Sequence, residues 1–382
     1  MSSQRSLTII SHTEHYKNVN GEIVGWEPTV REINHLSNIF DLVYHVAPFY
    51  SETPHKANAP YTSDKIKYIP IRPTGGQGIL KKLGILVYMP LIMVKIIKII
   101  NKTDWVHFRA PTNLGIFVLP LLSLYKYKKK WVKYAGNWKQ KNIPLSYLWQ
   151  RWWLRNNFHQ SIVTINGSWK NQEQHLISFQ NPCINDVELD QAAEVGSEKD
   201  FSGKLNLCFI GRIDNNKGVI KVLSALSNLN TLSRIKEINI AGGIDDSKTE
   251  AYINSNMKKT NKIKINFLGW ISRIKLNKIY EKSHILILPT QSEGFPKVIA
   301  EAASYGCIPM VTNISPINQY IEHGNNGLLL DNPSINNIQD CILKVDKGVF
   351  NLKDISTATM NGASQFTFSH YISRIQSEII YD

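Results

Sequence analysis

Cysteine is scarce in this sequence. Its 382 residues include four, Cys183, Cys208, Cys307 and Cys341, far apart and with no C-x-x-C pair. That excludes a disulfide scaffold and a cysteine-rich zinc site, and it fits a reducing compartment. No D-x-D motif ends a strand candidate; Asp245-Asp246 follows Gly242-Gly243 and reads as a turn. A signal-peptide core is also missing, because the apolar stretch Leu7–Ile10 is too short. The apolar fraction of 43% still suffices for real cores, which excludes wholesale disorder.

Acid is scarce in one place. Residues 65–172 hold 19 bases and one acid, Asp104, for a net of +18, against +14 for the whole chain. Seven of the nine tryptophans share this window, at positions 105, 131, 138, 149, 152, 153 and 169. A confined excess of this kind suggests an anionic surface as partner. Tyr125–Lys133 (YKYKKKWVK) and Tyr147–Phe158 (YLWQRWWLRNNF) interleave aromatics with cations. The pattern suits a single-stranded nucleic acid surface, an interfacial membrane anchor, or core aromatics with snorkelling cations. The apolar segment Ile79–Ile100 has an uncharged core of 12 residues, Leu83–Val94. A spanning helix needs roughly 20, and Pro90 would kink one. A buried helix remains open, as does one half-inserted among headgroups with Lys81, Lys82, Lys95, Lys98 and Lys102 on anionic lipid.

Strand candidates alternate with helical segments along the chain. The first series is Leu7–Ser11, Asp41–Val46, Tyr68–Ile71, Trp105–Phe108, Trp131–Tyr134 and Ile162–Ile165; Thr29–Phe40 reads as a helix. The second is Leu205–Ile210, Glu237–Ala241, Ile263–Leu268, Ile285–Leu288 and Ile308–Val311. Short β-rich runs spaced by helices predict parallel sheets covered on both faces. The expected division is a Rossmann-like domain over 1–185, a linker over 186–204 and a second Rossmann-like domain over 205–365. An amphipathic helix over 366–382 would follow, of a kind that often packs back on the first domain.

Two segments carry chemistry. In the first, strand Ile285–Leu288 leads into Glu293-Gly294-Phe295-Pro296 and then a helix. Gly294 lets backbone approach a ligand, Pro296 suits a first helical turn, and the amides of Phe295, Lys297 and Val298 would form an anion site. Glu301 is placed to reach a neighbouring diol; the plainer alternative for Glu293 is a first-turn carboxylate favoured by the helix dipole. In the second, Phe209–Gly218 (FIGRIDNNKG) puts Arg212 and Lys217 at a strand-to-helix junction, where open α/β sheets bind ligands. Two fixed cations suit a diphosphate leaving group, although solvated loop cations are commoner.

Together these segments resemble the retaining glycosyltransferases of family 4, which have the GT-B fold. The G-R-x-x-x-x-K-G and E-G-F-P-x-V-x-x-E-A motifs match in type, order and a spacing of about 80 residues. Phe267–Trp270 and Ala303–Val311 resemble the family's intervening and following segments. The likeness covers Asn206–Leu330 and is weak before it. It implies an α/β chain with two Rossmann-like domains whose parallel sheets face a central cleft. A UDP- or GDP-sugar would be held by the second domain. Arg212 and Lys217 would take the diphosphate, Glu301 the ribose, and Trp270 and Ile271 would border the base. Glu293 and the backbone through Gly294, Phe295, Pro296, Lys297 and Val298 would hold the sugar and distal phosphate. No metal or cofactor would be needed.

The first domain departs from the family. A longer loop with single glycines at Gly21 and Gly25 replaces a Gly-Gly pair after the first strand, and Arg109 and Asn137 stand at strand ends where histidines are usual. Both could donate to the sugar or phosphate, with Arg109 counted among the catalytic groups beside Glu293, Arg212 and Lys217. His107 is expected on the opposite face, in a structural role. Ser315-Pro316 replaces glycines. The expected reaction moves a sugar with retained configuration to a hydroxyl of a glycan or lipid-linked acceptor, in bacterial cell-surface polysaccharide synthesis. The enzyme would be cytoplasmic and peripheral at the inner face of the plasma membrane, its basic window on anionic lipid, without nucleic acid. A GT-B sugar-nucleotide epimerase and a non-catalytic nucleotide-sugar or membrane-binding module are the alternatives.

Overall fold

Strands that read as continuous apolar runs are buried on both faces. Every residue of β1 (Ser6–Ile10) is buried, and its polar members are paired. The Thr8 hydroxyl meets that of Thr103 at 2.6 Å, and Ser6 donates from its hydroxyl and amide to Asp104 at 2.6 and 3.1 Å. Asp104, the lone acid of the basic window, therefore anchors a strand. The computed structural model describes residues 5–54, 57–73, 79–229, 232–244, 250–251, 253 and 263–380, with side chains in 79–86 left aside. The expected Asp245-Asp246 turn lies outside the described residues. The chain divides into one unit of residues 1–180 with 371–382 and another of 181–370.

The first unit runs β1, β2 (His15–Lys17), β3 (Ile23–Trp26), α1 (Glu27–Leu36), β4 (Leu42–Pro48), β5 (Asn58–Pro60) and β6 (Ile66–Ile71). It continues with α2 (Ile79–Ile100), β7 (Trp105–Ala110), α3 (Gly115–Leu124), β8 (Lys129–Asn137), α4 (Leu145–Arg155), β9 (Ile162–Asn166) and β10 (Leu176–Ser178). Seven strands pair in parallel in the order β10-β9-β8-β7-β1-β4-β6. The region expected as a loop around Gly21 and Gly25 instead folds as β2 and β3, which with β5 make an antiparallel sheet.

Buried hydrogen bonds tie that small sheet to the large one. The Thr13 carbonyl can only accept, so His15 Nδ1 donates to it at 2.8 Å. His15 Nε2 then accepts from the Tyr61 hydroxyl at 2.6 Å, and the Tyr61 oxygen accepts from His45 Nδ1 at 2.5 Å. His45 Nε2 lies 2.7 Å from the Ser11 hydroxyl, which itself donates to the Thr13 hydroxyl at 2.9 Å. Burial keeps both imidazoles neutral: it brings His15 down to about 4 and His45 well below the ordinary range.

The second unit runs α5 (Asp186–Ser197), β11 (Leu205–Ile210), α6 (Val219–Ser227), β12 (Ile235–Ala241), β13 (Lys264–Gly269), α7 (Arg273–Lys282), β14 (Ile285–Leu288) and α8 (Lys297–Ser304). β15 (Ile308–Thr312), β16 (Leu328–Leu330), α9 (Ile335–Asp346) and α10 (Leu352–Asn361) follow; α11 (Phe368–Glu378) begins here and from Tyr371 on belongs to the first unit. Its parallel sheet has the order β13-β12-β11-β14-β15-β16. Helix α5 replaces most of the expected linker over 186–204. Asn185 accepts from the Glu188 amide while the Glu188 carboxylate accepts from the Asn185 amide, a capping box that starts the helix. Tyr371, Ile375, Ile379 and Ile380 pack with Leu7, Ile33, Trp105 and Trp131 of the first unit.

Candidate nucleotide-sugar site

β11 is the first strand of the second unit, and its neighbours β12 and β14 lie on opposite sides. The strand order reverses between β11 and β14, and ligands of open α/β sheets bind at that point, beyond the carboxyl ends. Both sequence motifs emerge there. Gly218 caps α6 with a left-handed backbone (φ +84°), and a Cβ on it would come within 2.5 Å of the Pro289 carbonyl. Only glycine permits that approach. The Gln291 amide donates to the Asn216 carbonyl at 2.9 Å, which joins the two loops directly.

The predicted side chains converge on this junction. Lys217 and Glu293 form a close, mostly buried ion pair. Arg212, more than half exposed, lies 3.3 Å from Asp214, whose other oxygen accepts from the Lys217 amide at 2.8 Å. Burial first, then Arg212, brings the Lys217 ammonium down to about 8, against the opposing pull of Asp214. Gly294, Phe295 and Pro296 form the turn into α8. Pro296 takes the cap position rather than the first turn, with φ −67° and ψ 120°. The amides of Lys297 and Val298 then lie in the first turn of the helix, at its positive end.

Glu301 is buried on α8 and held at both oxygens. Arg273 donates to one at 2.5 Å and Tyr280 to the other at 3.2 Å. Arg273 also donates to the Cys183 carbonyl at 3.3 Å. Burial opposes the Arg273 charge, but the Glu301 carboxylate outweighs it and raises its pKa. Motif reading missed Arg273 and Tyr280; their only signal was a position on the helix after the Trp270 segment. Trp270 lies where β13 ends. A Cβ on Gly243 would fall 2.1 Å from its indole nitrogen, so the ring packs on bare backbone. Ile271 beside it is half-buried against the core. Ser315-Pro316 follows β15, ahead of the 3-10 turn Ile317–Gln319.

Arg109 does not join a ligand site. It is buried on β7 and donates to both Glu32 oxygens, at 2.6 and 3.4 Å. Lys133 donates to both at 2.9 Å, and Tyr371 to one at 2.8 Å. The expected role of Arg109 as a sugar or phosphate donor is corrected: its guanidinium is spent on a carboxylate inside the first unit. His107 shares the Arg109 face, as residues two apart on a strand must. It is fully buried and stacks on Trp131 at 4.1 Å. Asn137 is half-buried at the end of β8.

The fold is that of a GT-B protein, with two parallel-sheet Rossmann-like units. HepE of Anabaena, solved in complex with UDP and glucose, has the same fold at a TM-score of 0.67 and 12% identity, with 98% of this chain and 99% of that one covered. Residues 190–349 match the family described as glycosyl transferases group 1. Two curated relatives are similar over shorter stretches. A Campylobacter jejuni protein named GalNAc-alpha-(1->4)-GalNAc-alpha-(1->3)-diNAcBac-PP-undecaprenol alpha-1,4-N-acetyl-D-galactosaminyltransferase is 26% identical over 52% of this chain and 51% of its own length. An uncharacterized 41.2 kDa protein in the cps region of Klebsiella pneumoniae is 24% identical over 35% of each. The chain thus spans about a third to a half of these relatives.

Proposed function

We propose that this chain is a retaining, metal-independent glycosyltransferase of family 4. It moves a sugar from a UDP- or GDP-linked donor to a hydroxyl of a glycan or lipid-linked acceptor. The observation that carries the reading is the meeting of the two motif loops at the β11–β14 switch point, with Lys217 and Arg212 beside the amino end of α8.

Arg212 and Lys217 bind the donor diphosphate and stabilise the charge that grows on it. A diphosphate on Lys217 competes with Glu293, and the released carboxylate positions the sugar hydroxyls. The backbone through Gly294–Val298 takes the distal phosphate. Glu301, oriented by Arg273 and Tyr280, accepts from the ribose hydroxyls with its remaining lone pairs. Trp270 and Ile271 border the base. The bond from the sugar C1 to the diphosphate oxygen breaks as the acceptor oxygen forms its bond to C1 on the same face. The acceptor proton passes to the departing phosphate.

The acceptor is bound mainly by the first unit, and the protein works at the inner face of the plasma membrane. The undecaprenol diphosphate in the Campylobacter relative's name and the cps location of the Klebsiella one support a surface-polysaccharide role. Replacing Arg212 and Lys217 together by alanine is expected to abolish transfer with the fold intact, and NMR of the product should show the donor's anomeric configuration. Full transfer by the double variant would remove the diphosphate assignment; an inverted product would remove the mechanism.

A further inference from the structure

The carboxyl ends of β8 and β9 open on a cavity that none of the roles above uses. Its volume is about 360 Å³, and Trp138, Trp152, Trp169, Lys139, Arg151 and Lys170 line it. That size lies within the roughly 300–1,000 Å³ of small-molecule pockets. Its position is the sheet edge where α/β units take ligands. Trp138 follows the last residue of β8, Trp169 lies three residues beyond β9, and α4 supplies Arg151 and the half-exposed Trp152.

The cations here are arranged unlike ordinary surface charges. Arg151 is fixed by its Nη1, which donates to the carbonyls of Trp138 and Gln140 at 2.6 and 2.8 Å. Lys139 sits 5.6 Å from the centre of the Trp169 ring. Among the described residues no carboxylate pairs with Arg151, Lys139 or Lys170. Arg155 on the same rim does have one, Glu173 at 2.6 Å. Three cations without counter-ions thus surround aromatic rings. A pyranose has an apolar face that stacks on an indole and a rim of hydroxyls for polar neighbours. An anionic group beside it would meet the three cations, and a fixed guanidinium suits phosphate or carboxylate.

We infer that this pocket binds an anionic saccharide, a pyranose carrying a phosphate or carboxylate. Identifying this ligand with the acceptor rests on the glycosyl-transfer reading; the binding itself does not. The same chemistry is offered by a lipid-linked sugar phosphate and by a free acidic glycan.

The test titrates the full chain with N-acetylglucosamine 1-phosphate and with glucuronic acid, following tryptophan fluorescence. N-acetylglucosamine and inorganic phosphate are run as separate arms. At least one anionic sugar is expected to bind tenfold or more tighter than either neutral sugar or phosphate. Arg151→Gln should remove the advantage over the neutral sugar and Trp169→Phe the advantage over inorganic phosphate, neither moving the melting temperature. If Arg151→Gln loses stability, Lys139→Gln with Lys170→Gln, both at exposed positions, makes the same comparison. Equal binding of neutral and anionic sugars, or full binding by the variants, overturns the inference. So does displacement of the probe by UDP, which would put it at the β11–β14 site. A chain that binds the anionic sugar but shows no UDP-induced rise in melting temperature keeps this inference and loses the donor-site reading. Farnesyl-diphosphate-linked N-acetylglucosamine separates the two sources. Both outcomes uphold the site: tighter binding than the 1-phosphate assigns it a lipid-linked ligand, and equal binding a free glycan.

Discussion

Glu32 shows how far a single residue escapes a sequence reading. It is fully buried, and its partners lie 77, 101 and 339 residues away along the chain. The alternation of β7 places Arg109 on a face, but nothing local to it names a carboxylate on α1. An arginine at a strand end therefore reads as a ligand group when it is an internal counter-ion. Removing the carboxylate leaves two buried cations uncompensated. Glu32→Ala is expected to cost about 3–5 kcal/mol, whereas Tyr371→Phe, which removes one hydrogen bond to the charged group, should cost about 1.5–3 kcal/mol. Denaturant unfolding of both variants measures the difference; equal, small losses would contradict the account.

His15 makes a second residue-level prediction, in pH. Its folded pKa is about 4, lowered by burial, against about 6.5 when unfolded. As pH falls below 6.5 the unfolded chain takes up the proton first, so stability falls with it. The His15 contribution is complete above about 6.5, is lost between there and about 4, and is flat below. His45, lower still, extends the loss downward. Melting temperatures of wild type and His15→Gln between pH 7 and 4.5 should converge toward acid; parallel curves would show that His15 is not neutral in the fold.

Elements were legible where apolar runs are long, local and buried on both faces. The expected bounds of β11 and β14 coincide with the observed ones because each run starts after a polar residue, Lys204 or His284, and stops at Gly211 or Pro289. β2, β3 and β5 were missed: each has three or four residues, and β5 pairs with β3 from more than 30 positions away. Helix α5 was missed for another reason. Its apolar stripe is short, only Leu189, Ala192 and Gly196, so the Asn185–Glu188 capping box was the readable signal. Asn185→Ala is expected to cost about 1 kcal/mol. Glu188→Ala removes the reciprocal bond and should cost a similar amount. The double variant should cost less than the sum, since the two bonds form one box; strict additivity in denaturant unfolding would argue that the two bonds act separately.

At the scale of the molecule, the basic window divides into inward and outward charge. Arg109, Lys130 and Lys133 are buried. Lys130 donates to the Leu122 and Tyr125 carbonyls at 3.0 and 2.6 Å, where α3 ends, so its charge serves a helix terminus. The outward charge includes Lys95, Lys98 and Lys102 at the end of α2. On the same helix Val87, Leu91 and Val94 are 70%, 71% and 64% exposed, and their spacing of four and three residues makes one stripe. Among the described residues no helix is long and apolar enough to cross a membrane. An exposed apolar stripe beside lysines suits an interfacial position instead, with the side chains among acyl chains and the ammonium groups on phosphates. The full chain should therefore sediment with phosphatidylglycerol vesicles and much less with phosphatidylcholine ones. Raising salt from 0.15 to 1 M shortens the screening length from about 8 to about 3 Å, which should release most of the bound protein but leave a residue held by the apolar stripe. Leu91→Glu should remove that salt-resistant fraction, and Lys95→Glu with Lys98→Glu the salt-sensitive one. Equal binding to both lipids, or sedimentation unchanged in both variants, would mean that the charge of this window serves a soluble anion and not a bilayer.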